Sequence, residues 1–373
     1  MKYLLKLLLQ NTKQFAAIGG QAVIEGVMMR SPHAFVVAVR KPNGKIVLLK
    51  DQWFSLNKKI AIFKWPFFRG ILTLIETMMN GIVSLNYSAN IAMEEEEKEK
   101  AQKAGKDWNE LQKSRKNKEK IGMGTFISIA GSFIFGIFLF VFVPHAATAY
   151  LGKTLGSTWG LDSFEFHAID GSIKGAIFLL YVYIIGFFPD IFRVFQYHGA
   201  EHKSISTFEA GEELQVENAK KYSTFHPRCG TTFVFFLLFI SIVIFSGLFV
   251  IIPIGKDLPF LMRHIVAILV KIALTLPIAG ISYELIKLMG KCSTTWWGKM
   301  ISTPGQWLQR LTTREPDAAQ LEVAMVSIRA VLFLEEKYNL RAADSKIVKR
   351  EELEISSLND IQTSNLALKD FLE

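Results

Sequence analysis

Four stretches of the chain are apolar and almost free of charge, and lysine-rich polar segments separate them. About 30 Å of hydrocarbon crossed at 1.5 Å per residue needs about 20 mostly apolar residues in a helix. Residues 121–150 and 230–255 contain no Asp, Glu, Lys or Arg and are predicted spans. Residues 174–195 form a third, with Asp190 and Arg193 in its last turns. Residues 260–283 form a fourth, with Lys271 near its middle. The expected fold class is mainly α: a polytopic membrane protein of about four transmembrane helices, with a small β-hairpin module and amphipathic helices outside the bilayer.

Other periodicities divide the rest. Residues 34–50 hold two β-favouring runs around Pro42-Asn43-Gly44, a hairpin signature, and Gly19, Gly20 and Gly26 before them suggest tight turns. Residues 71–91 place Ile71, Leu74, Ile75, Met78, Ile82 and Leu85 on one face and Thr73, Thr77, Asn80, Ser84 and Ser88 on the other, predicting an interfacial or docked helix. Residues 316–334 have helical spacing, with Pro316 and Asp317 as start signals. The expected organisation is therefore a hairpin module over 1–58, an amphipathic helix over 59–93 and a charged linker over 94–120. A four-helix bundle over 121–292 with a cytoplasmic loop at 197–229, an amphipathic helical region over 293–339 and a loosely ordered polar tail over 340–373 follow. Residues 1–9 read as a short amphipathic lead, not a signal peptide.

Charge orients this arrangement. The net charge of +9 over 373 residues would suggest nucleic acid in a chain without spans, but here the basic residues flank apolar stretches. Before the first span stand Lys103, Lys106, Lys113, Arg115, Lys116, Lys118 and Lys120, whereas Lys153 alone precedes Lys174 after it. The positive-inside rule then predicts a membrane protein with both termini in the cytoplasm, a lipid partner and no nucleic acid. Only Cys229 and Cys292 occur, so no disulfide framework is implied.

The chemistry concentrates near the second and third spans. His198-Gly-Ala-Glu201-His202 has the H-x-x-E-H spacing of inverted zinc peptidases. On a helix the two histidines lie about 6 Å apart along the axis, within reach of one metal ion, and Glu201 is placed to act as general base. The same loop carries His226-Pro-Arg-Cys229, so His226 is an expected third ligand. Cys229 is an alternative, and Glu284, closing the fourth span, is another. Asp190 is expected to orient a histidine or pair with Lys271. His145, His167 and His264 fall on the outer side, away from this cluster, and for Glu25 a cap, a pairing with Arg30 and a place in a site all stay open.

These residues carry a resemblance. GGQAVIEGVMMR at 19–30, HGAEHKSI at 198–205, HPRCGTTF at 226–233 and QWLQRLTTREPDAAQLEVA at 306–324 resemble the YqhQ-like bacterial membrane proteins, a family of unknown function often described as predicted metal-dependent enzymes. The resemblance implies a multi-pass protein with a suspected metal site at His198, Glu201 and His202, with His226 and Cys229 as participants. It implies no substrate. The leading expectation is a zinc-dependent hydrolase, a peptidase among the options, acting on a hydrophobic or membrane-protein substrate at the cytoplasmic membrane face. The alternative is a non-catalytic scaffold or assembly factor with a structural metal or none, and a transport role through Lys271 and Asp190 ranks third.

Overall fold

The computed structural model describes residues 18–52, 65–103, 123–157, 159–292, 295–337 and 350–360. The amphipathic lead predicted over 1–9 lies outside them, as does the linker beyond Lys103.

A five-stranded antiparallel meander opens the chain and is completed by its tail. Strands β1 (Gly19–Val23), β2 (Gly26–Arg30), β3 (Ala34–Arg40), β4 (Ile46–Gln52) and β5 (Glu351–Ile355) pair in sequence order. The predicted hairpin is β3–β4, in register from Ala34 opposite Gln52 to Arg40 opposite Ile46. The glycines read as tight turns instead open a second hairpin, β1–β2, whose turn holds Glu25 at φ 52°. β3 is apolar at nearly every position because both of its faces are covered, which removes the usual alternation. Val36 and Ala38 pack with helix α10 (Ala318–Lys337), and Val37 and Val39 pack with Ile91 of helix α1 (Pro66–Lys103).

The tail expected to be loose supplies β5, which corrects the reading of residues 340–373 at 351–355. Its sequence, Glu-Glu-Leu-Glu-Ile, is that of a charged edge strand, held by Lys41 and Lys45 on Glu354 at 3.0 and 2.9 Å. Nothing in its composition marks a strand. Only the partner edge does.

Among the described residues, four helices are long and apolar enough to cross a membrane: residues 130–154, 164–185, 230–251 and 260–289. Only 17–33% of the residues in their most apolar stretches are buried, so their hydrophobic surface faces outward, as lipid requires and water penalises. The first combines α2 (Met123–Ile137), a π turn (Phe138–Phe142) and α3 (Val143–Thr154), the wider turn coming just before Pro144. The second, α4 (Phe164–Ile185), begins ten residues earlier than predicted and ends earlier too. Its first turns carry Asp170 and Lys174, both buried. Pro189 then starts a separate helix, α5 (Pro189–Glu209), so Asp190 and Arg193 are not in a span at all.

After the short α6 (Val216–Ala219) come α7 (Gly230–Ile251), α8 (Phe260–Lys291) and α9 (Trp296–Thr312). Helix α1 docks along α8. An added Cβ on Gly70 would sit 2.7 Å from the Gly280 carbonyl oxygen, and Arg69 grips Glu284 at 3.0 and 2.5 Å. Its amphipathicity runs inside out. Thr73, Ser84 and Ser88 are buried against the protein, while Met78, Met79, Ile82 and Leu85 are exposed. Ser88 accepts from the Ile24 N–H at 3.2 Å and Thr77 from Arg30 at 3.3 Å.

Candidate metal centre

The H-x-x-E-H residues occupy the middle of α5, which passes between the sheet and the start of α7. Gly199 would ordinarily weaken a helix by about 1 kcal/mol relative to Ala. Here it has a steric purpose: a Cβ at this position would stand 2.1 Å from the Arg314 carbonyl oxygen. The close approach lets residues 312–315 lie along α5. The Arg314 N–H donates to the Phe195 carbonyl at 2.9 Å, and Lys203, itself buried, reaches Glu315 at 2.5 Å.

That strap positions the first histidine. His198 Nδ1 donates to the Thr312 carbonyl at 2.8 Å, and His202 Nδ1 donates to the Thr224 carbonyl at 2.5 Å. Each ring therefore keeps its proton on Nδ1 and turns the Nε2 lone pair inward, the tautomer a metal-ligating histidine needs. Both stand beside Cys229, whose sulfur lies 3.2 Å from His198 Nε2 and within 4.8 Å of a ring nitrogen of His202. One donor atom from each of His198, His202 and Cys229 lies within 4.8 Å of the others.

Cys229 owes its place to the helix it opens. It is the N-cap of α7, its sulfur accepting from the Thr231 N–H at 3.3 Å. Gln309 on α9 ties down the preceding turn, accepting from the His226 N–H at 2.8 Å and donating to its carbonyl at 2.7 Å. The His226 ring is turned toward Glu209, 3.3 Å away, and stands beside His202 with 5.7 Å between ring centres. Of the alternative third donors weighed from sequence, Cys229 joins the two histidines. Glu284 is held on α8 by Arg69. Asp190 is exposed in the first turn of α5, and the orienting partners of the histidines are backbone carbonyls instead.

Glu201 is buried beneath β1, where a Cβ on Gly20 would come within 2.8 Å of its carboxyl carbon. Burial raises its pKa, opposed by the nearby charges of His198 and His226 and a hydrogen bond from the Gly20 backbone. Burial lowers the pKa of His202, with Cys229 opposing, and lowers that of His226 to about 4. Glu25 clamps α5 from the β1–β2 turn, accepting from Arg193 and, at 3.4 Å, from Tyr197.

Sequence reasoning did not anticipate Thr224, Gln309, Thr312 or the Lys203–Glu315 pair. Thr224 and Thr312 reach the histidines through backbone oxygens, which no side-chain pattern reports. The four segments that carry the resemblance converge here: β1–β2 over Glu201, α5 through the centre, 226–233 supplying the sulfur, and 306–324 supplying Gln309 and the strap.

The comparisons agree with the resemblance at the level of family. The chain is 34% identical over 324 residues, 86% of its length and 93% of the relative's, to "Uncharacterized protein YqhQ" of Bacillus subtilis (strain 168). No solved structure matches. A family model described as "Protein of unknown function (DUF1385)" matches residues 65–333, and the chain belongs to that family.

Proposed function

We propose that this protein is a membrane-embedded, metal-dependent hydrolase whose metal is held by His198, His202 and Cys229. One observation carries the reading. Two histidines, each fixed by a carbonyl on Nδ1, share one small cluster with a single sulfur, their donor atoms all within 4.8 Å of one another. A thiol has one proton and satisfies one of them; a cation satisfies both. Two histidines and a thiolate are a zinc donor set, and tetrahedral zinc would separate nitrogen and sulfur ligands by about 3.6 Å. A bound zinc ion supplies Lewis-acid activation of water at the position that three protein donors leave open.

Glu201, next to His202 in the chain, then takes the proton of the attacking water. Its raised pKa moves a carboxylate toward the operating pH, where a general base works best. The apolar outer face of α1 and the spans suits a hydrophobic substrate presented from the bilayer, with the site at the cytoplasmic face under the positive-inside rule.

A second reading has its own support: a scaffold with a structural metal. His202, Cys229 and Glu201 are each no more than 6% exposed, with His198 the more open member. Metal content of full-length protein, purified without chelator and measured by mass spectrometry, tests both. About one equivalent of zinc, lost in His198→Ala, His202→Ala and Cys229→Ala variants that stay monodisperse, is expected. A metal-free wild-type protein sinks both readings of the centre. Glu201→Gln separates them: it should keep the metal in either case and abolish hydrolysis only in an enzyme.

A further inference from the structure

The histidines set aside by sequence meet at the other end of the bundle. His145 on α3, His167, Asp170 and Lys174 on α4, and His264 and Lys271 on α8 surround one another against Phe245 and Phe249 of α7. Phe245 and Cys229 stand at opposite ends of α7, roughly 24 Å apart at the helical rise, so this cluster is separate from the candidate metal centre. His145, His167, Asp170 and Lys271 are each no more than 2% exposed. Lys271 donates to Asp170 at 2.8 Å, which replaces the expected pairing with Asp190.

Four groups form a continuous hydrogen-bonded chain. Asp170 Oδ2 accepts from Lys271 Nζ, which lies 3.2 Å from His145 Nδ1, and His145 Nε2 lies 2.8 Å from His264 Nδ1. An ammonium only donates, so His145 Nδ1 accepts and its proton sits on Nε2. His264 Nδ1 must then accept in turn. Its proton sits on Nε2, and the ring is partly exposed beside the exposed Phe260. Every donor points the same way, from the buried lysine to the surface.

The charges favour movement along that direction. Asp170 is bonded to one ammonium group, Lys271, and stands one helical turn from a second, Lys174, which rests 5.6 Å over the Phe245 ring. Loss of one proton from Lys271 leaves the charges of Asp170 and Lys174 in balance within a low-dielectric interior. Two buried acceptors, Asp170 Oδ1 and His167 Nδ1, have no hydrogen-bond partner among the described residues, so the inner end is a built polar site that its internal pairing leaves incomplete. No titratable residue of α7 is among the groups contacting Lys271 or His145. Arg263 at the mouth is held by Asp162 at 2.5 Å.

We propose that the Lys271–His145–His264 chain is a proton-exchange site opening at the end of the bundle opposite the metal centre. In one transfer a Lys271 N–H bond breaks and His145 Nδ1 gains the proton. His145 Nε2–H passes its proton to His264 Nδ1, and His264 Nε2–H releases one to water. Lys271 ends neutral, both imidazoles end as the Nδ1–H tautomer, and one proton has left. Reversal takes one up.

Nitrogen-15 NMR of histidine-labelled full-length protein in nanodiscs reads each tautomer directly, with His145→Gln and His264→Gln used for assignment. As pH rises, His145 and His264 should pass from Nε2–H to Nδ1–H together, at one midpoint. Lys271→Arg keeps the charge beside Asp170 but cannot release its proton, so both rings should hold the Nε2–H form throughout. Lys174→Gln removes the repelling charge and should raise the midpoint by about one pH unit or more. His145 holding one tautomer wherever the wild-type protein stays folded, or switching unchanged in Lys271→Arg, would overturn the proposal. If Lys271→Arg fails to fold, the wild-type midpoint and its displacement in Lys174→Gln decide alone, and an undisplaced midpoint counts against it.

Discussion

At the residue scale, Gly199 is the most instructive position. Helix propensity counts it as a weakness in the H-x-x-E-H helix, yet the strap carrying the Thr312 carbonyl could not approach a β-carbon there. Gly199→Ala should therefore cost about 1–3 kcal/mol through overpacking despite its better propensity, read as a lowered Tm, and should lower metal occupancy with it. Glu201→Gln should reduce any hydrolytic turnover by about 10²–10⁴-fold at unchanged zinc content, the usual worth of a general base, measured on the substrate class a hydrolase screen identifies. His226 gives a pH signature. Its folded pKa is about 4 against an ordinary 6.5, so the unfolded chain binds the extra proton between those values. The stabilisation is fully present above pH 6.5 and is lost as pH falls toward 4. His226→Gln should flatten that part of the Tm-against-pH curve.

At the scale of elements, helix α1 shows how amphipathicity can be read correctly and yet leave the direction open. The two faces are where the sequence puts them, but the polar one packs inward on β1, β2 and α8 while the apolar one is exposed. Such an inversion is favourable where the surroundings are lipid or an apolar partner, and unfavourable in water. The contact with α8 depends on Gly70 lying against the Gly280 carbonyl. Gly70→Val should push α1 off α8, seen as faster tryptic cleavage at basic residues near Lys103 with the bundle itself still protected. The second span teaches the complementary lesson. Asp170 in its first turns and Lys271 in the fourth span are each costly in lipid when taken singly, whereas the folded helices pair them across α4 and α8.

At the scale of the whole molecule, the sheet module and the bundle meet around α5, and the two titratable clusters lie at opposite ends of α7. The proposed topology, with the candidate metal centre at the cytoplasmic face, puts Lys153 outside and Lys221 inside, both being exposed. A Lys153→Cys reporter in a Cys292→Ser background should react with a membrane-impermeant thiol reagent on intact cells, and Lys221→Cys only after permeabilisation; the reverse pattern would invert the topology. By itself the sequence determined the four apolar spans, the β3–β4 hairpin and the His198–Glu201–His202 helix face, because hydrophobic runs, turn residues and i, i+4 spacing are local properties. It left open which of His226, Cys229 and Glu284 stands beside the two histidines, and left Lys271 without its true partner. Those were decided by tertiary structure alone: which side chain faces a histidine depends on the Gln309 clamp, the N-cap of α7 and a strap from residues about 114 positions away, contacts that no local pattern along the chain encodes.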